Sequence, residues 1–146
     1  MIFVFRLLSG LPLLWLHRLG ALAGWLSWLF SPTYRRHMRE NMILALGEEI
    51  ERRVRFAAIA HAGRQSLELP RIWLRPLEDA VDSIVKVSGW DLVEAAMREG
   101  KGIIYLTPHL GCFEITAQYL STYAPITALY RPPKRAWMQQ MIEIGR

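Results

Sequence analysis

The chain has 146 residues, a formal net charge of +5 and a hydrophobic content of 52%. That length suits one domain with a core of its own, and the basic balance fits an anionic partner, with six tryptophans favouring a membrane surface over a nucleic acid. The single cysteine, Cys112, excludes an intrachain disulfide and any multi-cysteine metal site.

Taken in chain order, the first predicted element is an apolar segment over 1–30, interrupted by Arg6, His17 and Arg18. No small-residue cleavage site follows a short apolar core, so the segment reads as a retained membrane anchor. A spanning helix needs about 20 mostly apolar residues, and the leucines and phenylalanines here can offset one arginine that snorkels toward the interface. An amphipathic helix lying in the interface is the alternative. In either case Arg35, Arg36 and Arg39 follow at once and place everything downstream on the cytoplasmic side.

Ser31-Pro32 ends the anchor and opens a helical connecting region over 31–82. Met38, Met42, Ile43 and Leu46 give helical spacing over 35–46, and Gly47 breaks it. A second helix is predicted over 48–69, with Val54, Ala58 and Ile59 in step and Pro70 as its stop. Residues 74–82 read as a connector. From 83 to 146 the pattern alternates: a strand over 84–87, a helix over 91–99 capped by Asp91 and closed by Gly100, a strand over 103–106, a helix over 114–123, a strand over 126–130 and a last helix striped by Trp137, Met141 and Ile144. Strand–helix alternation predicts an α/β fold with a largely parallel sheet and right-handed crossovers. Three strands make a thin sheet, so the chain reads as the first part of a longer protein. Neither an internal repeat nor a low-complexity segment is present.

Ligands in such sheets bind beyond the carboxyl ends of strands, where this reading places His109. Five positions along a regular helix rotate a side chain by about 140°, so His109 and Glu114 cannot share a face of one continuous helix. Gly111 permits a turn between them, with His109 before the helix and Glu114 in its first turn. A carboxylate that accepts one ring N–H fixes the imidazole tautomer and raises the basicity of the other nitrogen, which makes a general base. The plainer reading of Glu114 is an acidic first-turn residue favoured by the helix dipole, and that of His109 is a structural strand-end histidine.

His109-Leu-Gly-Cys-Phe-Glu114 resembles the H-x-x-x-x-E motif of the lipid A biosynthesis acyltransferases, the lauroyl/myristoyl family related to the H-x-x-x-x-D glycerolipid acyltransferases. Residues 89–104 before the motif, Tyr130-Arg-Pro-Pro133 after it, Arg39-Glu-Asn41 upstream and the apolar N-terminus all fall in family order. The resemblance covers almost the whole chain and about half of a family member's length. Two departures stand out. Phe113 replaces the family's usual tryptophan before the glutamate, and Gly47-Glu-Glu49 stands where the family often has an aromatic–proline pair.

The resemblance implies transfer of a fatty acyl chain from an acyl carrier protein thioester to a hydroxyl of a lipid A precursor, in lipopolysaccharide biosynthesis at the bacterial inner membrane. His109 would deprotonate the hydroxyl and Glu114 would orient His109, with no acyl-enzyme, metal or redox cofactor. It further implies a substrate-binding or oxyanion role for Arg146, whose alternative is a solvated terminal arginine. Arg131, Lys134 and Arg135 form a basic cluster suited to lipid phosphate or the acidic carrier, or simply to solvent. Cys112 could pair with a histidine as a nucleophile, but its place inside a transferase motif favours packing. The competing functions are a glycerolipid-type acyltransferase, whose motif prefers aspartate at position 114, and an inactive membrane-bound fragment.

Overall fold

The computed structural model describes residues 2–129, 131–133 and 136–145. Its elements are helices: α1 (Ile2–Ser9), α2 (Leu13–Phe30), α3 (Pro32–Leu46), α4 (Glu48–Leu74), α5 (Leu77–Val81), α6 (Trp90–Glu99), α7 (Glu114–Ser121) and α8 (Ala136–Gly145).

The architecture is built on the antiparallel crossing of α2 and α4. Leu16, Gly20 and Gly24 are the buried residues of α2, each four positions from the next, so they form one stripe. On α4 the facing stripe includes Ile59 and Gly63. Leu16 and Ile59 have no exposed surface. The three glycines let the two backbones touch. A Cβ on Gly63 would overlap the carbonyl oxygen of Gly20 and lie 2.7 Å from the amide nitrogen of Gly24, and one on Gly20 would lie 2.7 Å from the Cα of Arg64. Small residues four apart permit such close helix approach. At one end of the crossing the Trp25 and Phe56 rings stack at 5.7 Å. At the other end the His17 Nε2 and Glu68 Oε1 atoms are 2.5 Å apart, and Arg71 donates from Nη1 to the Leu11 carbonyl at 3.3 Å.

α3 turns off the end of α2 at Ser31, whose hydroxyl accepts the Tyr34 amide at 3.3 Å and so caps the helix. α3 contacts α4, which follows it across Gly47, and none of the α3 residues is buried. On α4 Glu51, only 1% exposed, receives both Nε and Nη2 of Arg55 at 2.5 and 2.6 Å. The Arg55 hydrogen bonds hold the Glu51 carboxyl below its usual range, with the nearby charges of Arg55, Arg39 and Arg52 acting in the same direction and burial opposing them.

Helix positions follow the sequence pattern closely in several places and the predicted fold class does not. The expected α/β domain with a parallel sheet is absent: among the described residues there is no strand. Residues 84–87 and 103–106 run without helix or ladder, and Ile104 and Leu106 are 91% and 90% exposed. The third predicted strand ends on Tyr130, which lies outside the described residues. A strand exists only when a second strand accepts its backbone groups, and an apolar run cannot specify that long-range pairing. The expected spanning anchor is also corrected. Gly10, Leu11 and Pro12 divide the apolar N-terminus into α1 and α2, and no described helix is long and apolar enough to cross a membrane. Pro70 does not stop α4; it is fully buried inside the helix, and the packing of Pro70 and Ile72 offsets the local cost of a proline there.

The glycine contact generates a stability prediction. Gly63→Ala should lower the unfolding free energy by about 1–3 kcal/mol through overpacking, although alanine is the better helix former by about 1 kcal/mol. Gly10→Ala is the comparison, because a Cβ there meets only the Leu7 carbonyl at 3.5 Å. Denaturant titration measures both; equal or greater stability for Gly63→Ala would mean that the crossing is not held at backbone contact.

Candidate functional site

The motif lies in the loop between α6 and α7. The chain runs without regular secondary structure through residues 102–108, turns where the Leu110 amide donates to the Pro108 carbonyl at 2.8 Å, and enters α7 at Glu114. Gly111 has φ +55°, a left-handed conformation that only glycine adopts without strain, so the turn expected between the two motif residues is made here.

His109 is exposed, and its ring lies 4.3 Å from that of Phe113 at 42°. Glu114 stands in the first turn of α7 and is half-buried. Its Oε2 accepts the indole N–H of Trp73 at 3.2 Å. Among the described residues there is no hydrogen bond between His109 and Glu114; His109 has the Phe113 ring beside it, and Glu114 accepts from Trp73. Arg131 is exposed, and Arg146, Lys134 and Arg135 lie outside the described residues.

The C-terminal end of α4 forms the floor beneath the motif. Besides the Trp73 bond, Gln118 donates from Nε2 to the Ile72 carbonyl at 2.6 Å, one turn further along α7. A cavity of about 220 Å³ opens beside these contacts, with Leu13, Glu68, Arg71, Ile72, Cys112 and Ile115 in its wall. A larger open groove of about 760 Å³ follows α3 past Tyr34, Met38 and Met42, and no motif residue lines it.

Cys112 faces this floor. Burial pushes its thiol up to about 12, with the hydrogen bond to the Glu68 carboxylate and the charges of Glu68 and Glu114 adding to the rise. A thiol so placed stays protonated at neutral pH, which favours the packing role over a nucleophilic one. His17 completes this cluster from α2 through its bond to Glu68.

Reading the sequence for apolar periodicity passed over His17, Glu68, Trp73 and Gln118. A usable signal was present. His17 interrupts an apolar helix, and Glu68 stands between Leu67 and Leu69. A polar group on an otherwise apolar face requires a partner, and two such groups of complementary chemistry are candidates for each other. Among the described residues no group of three or more histidine, cysteine or acidic side chains is arranged to hold a metal ion.

The Cys112 environment is directly measurable. Iodoacetamide should modify Cys112 slowly at pH 8 in the folded protein. Glu68→Gln removes a hydrogen-bonding carboxylate and its negative charge, which lowers the thiol pKa, and each unit of lowering raises the thiolate fraction tenfold. Faster alkylation of Glu68→Gln with the fold retained is the expected result; an unchanged rate would separate Cys112 from Glu68.

A family model described as bacterial lipid A biosynthesis acyltransferase matches residues 1–146. No curated protein gives a match. No solved structure gives one either. The family match spans the apolar helices, the α2–α4 crossing and the His109–Glu114 loop alike, and by that match the chain belongs to the bacterial lipid A biosynthesis acyltransferase family.

Proposed function

We propose that this acyltransferase of lipid A biosynthesis moves a fatty acyl chain from an acyl carrier protein thioester to a hydroxyl of a lipid A precursor, with His109 as general base and Glu114 as the group that orients it. The observation that supports this reading is the arrangement of the motif. His109 stands open to solvent before a Gly111 turn, and Glu114 follows in the first turn of α7.

The acceptor hydroxyl gives its proton to the imidazole as its oxygen attacks the thioester carbonyl. Collapse of the tetrahedral intermediate breaks the C–S bond, and the imidazolium returns the proton to the departing carrier thiolate. Glu114 stabilises that imidazolium when it accepts the second ring N–H. The face of Phe113 beside His109 favours the cationic ring as well. Arg131, which is exposed, would meet a phosphate of the acceptor or an acidic surface of the carrier.

Contact with the membrane in this reading is peripheral. Phe3, Leu7, Leu14, Trp15, Leu29 and Phe30 are all more than half exposed along α1 and α2, and the arginines at the start of α3 adjoin them. Apolar side chains beside cationic ones suit the interface of an anionic bilayer, here the cytoplasmic face of the inner membrane.

In a protein carrying this chain, His109→Ala should reduce acyl transfer by about 10²–10⁴-fold with the fold intact. Glu114→Ala should come close to that loss, and the double variant should lose little more than the worse single one, because the two residues act as a unit. Cys112→Ala should keep most activity. Trapping of a labelled acyl group on Cys112, together with loss of transfer in Cys112→Ala, would contradict direct attack by the acceptor.

A further inference from the structure

The bond from Trp73 to Glu114 joins the end of α4 to the first turn of α7. α4 ends one residue after Trp73, and two adjacent residues of its last turn reach α7. Trp73 donates its indole N–H to Glu114 at 3.2 Å, and the Ile72 carbonyl accepts Gln118 at 2.6 Å. Glu114 and Gln118 are four apart, so they share one face of α7. Two bonds to one face of a short helix fix its rotation about its own axis. That rotation decides where the Glu114 carboxylate points.

We infer that Trp73 is a positioning residue for Glu114, seating the carboxylate on the end of α4 so that it can hold the imidazole of His109. The inference rests on the acyltransferase reading above. Indole suits the task chemically. It is a donor only and does not titrate across the working pH range, so it neither competes for the proton in transfer nor releases Glu114 as pH changes. A carboxylate offers about four acceptor positions, so one bond to Trp73 is compatible with a second bond to an imidazole. Trp73 is half-buried, and its side chain has two torsions to hold fixed.

The test uses the protein labelled with ¹⁵N and follows its indole N–H resonances. Trp73→Phe keeps an aromatic ring, removes the donor and identifies the Trp73 signal by its disappearance; Trp73→Tyr serves where the phenylalanine variant does not fold. Glu114→Gln should then move the Trp73 signal upfield, since a neutral amide is a weaker acceptor than a carboxylate, while the other tryptophan signals stay in place. In acyl transfer, Trp73→Phe should lower kcat by about tenfold to a hundredfold, the range expected for loss of a hydrogen bond to a charged group, with KM unchanged. A Trp73 signal indifferent to Glu114→Gln overturns the inference whatever the activity. A signal that moves while kcat of Trp73→Phe equals that of the wild type overturns it too, leaving the contact as packing alone. Absence of transfer by a wild-type protein that carries this chain at a family member's full length would defeat the acyltransferase mechanism, and with it any catalytic role for Trp73, while the resonance still reports whether the contact exists.

Discussion

The contact on which the other features of this molecule depend is the meeting of the α2 and α4 backbones at Gly20, Gly24 and Gly63. Helices with ordinary side chains pack at about 8–10 Å between axes. Here the absence of three Cβ atoms lets the carbonyl of Gly20 approach the Cα of Gly63. Large side chains are displaced to the ends of the crossing, where Trp25 stacks on Phe56 and Leu16 fills the space against α4. A contact between backbones fixes register more tightly than one between flexible side chains, since no rotamer change can absorb a slip of one turn. The small-xxx-small stripe is familiar from helix pairs in lipid, but in this chain both helices belong to the same molecule and no described helix is long and apolar enough to span a bilayer.

Because α2 and α4 are antiparallel, fixing their register also fixes which polar groups meet at the far end. His17 comes opposite Glu68, and Leu11 comes opposite Arg71. Glu68 in turn faces the Cys112 thiol, and one turn onward Ile72 and Trp73 reach α7. The end of α4 is therefore a junction of three layers: the apolar N-terminal helices, the long central helix and the motif loop. Its polar groups sit where solvent is partly excluded, so each hydrogen bond matters more through the desolvation cost of leaving it unmade than through its net stabilisation, about 1 kcal/mol for a typical bond.

Local structure was legible in the sequence. Gly47 and Gly100 mark helix ends, Ser31-Pro32 marks the break between α2 and α3, and the order His109, Gly111, Glu114 specifies a turn followed by a helix start. Each of these is decided within a few residues. The sheet was misread because strand formation is not local. The run Ile103-Ile-Tyr-Leu106 has the composition of a buried strand, yet two of its side chains stand almost wholly in solvent. The spanning reading of the N-terminus failed for a related reason: hydropathy summed over 1–30 ignores the break at Gly10 to Pro12, which leaves helices of 8 and 18 residues. Pro70 shows tertiary packing overriding a local rule. The Trp73–Glu114 and His17–Glu68 partnerships span 41 and 51 residues, and no short window holds both members of either.

If the α2–α4 crossing carries the motif, disturbing one loosens the other. Amide hydrogen exchange in Gly63→Ala tests it most directly, because it reads local opening segment by segment. Exchange should accelerate within α2 and α4 at the crossing and also in α7, whose first turn contains Glu114 and lies more than forty residues away in sequence. If α2 and α4 lost protection while the α7 amides exchanged as in the wild type, the motif would be seated independently of the crossing and the account would be wrong.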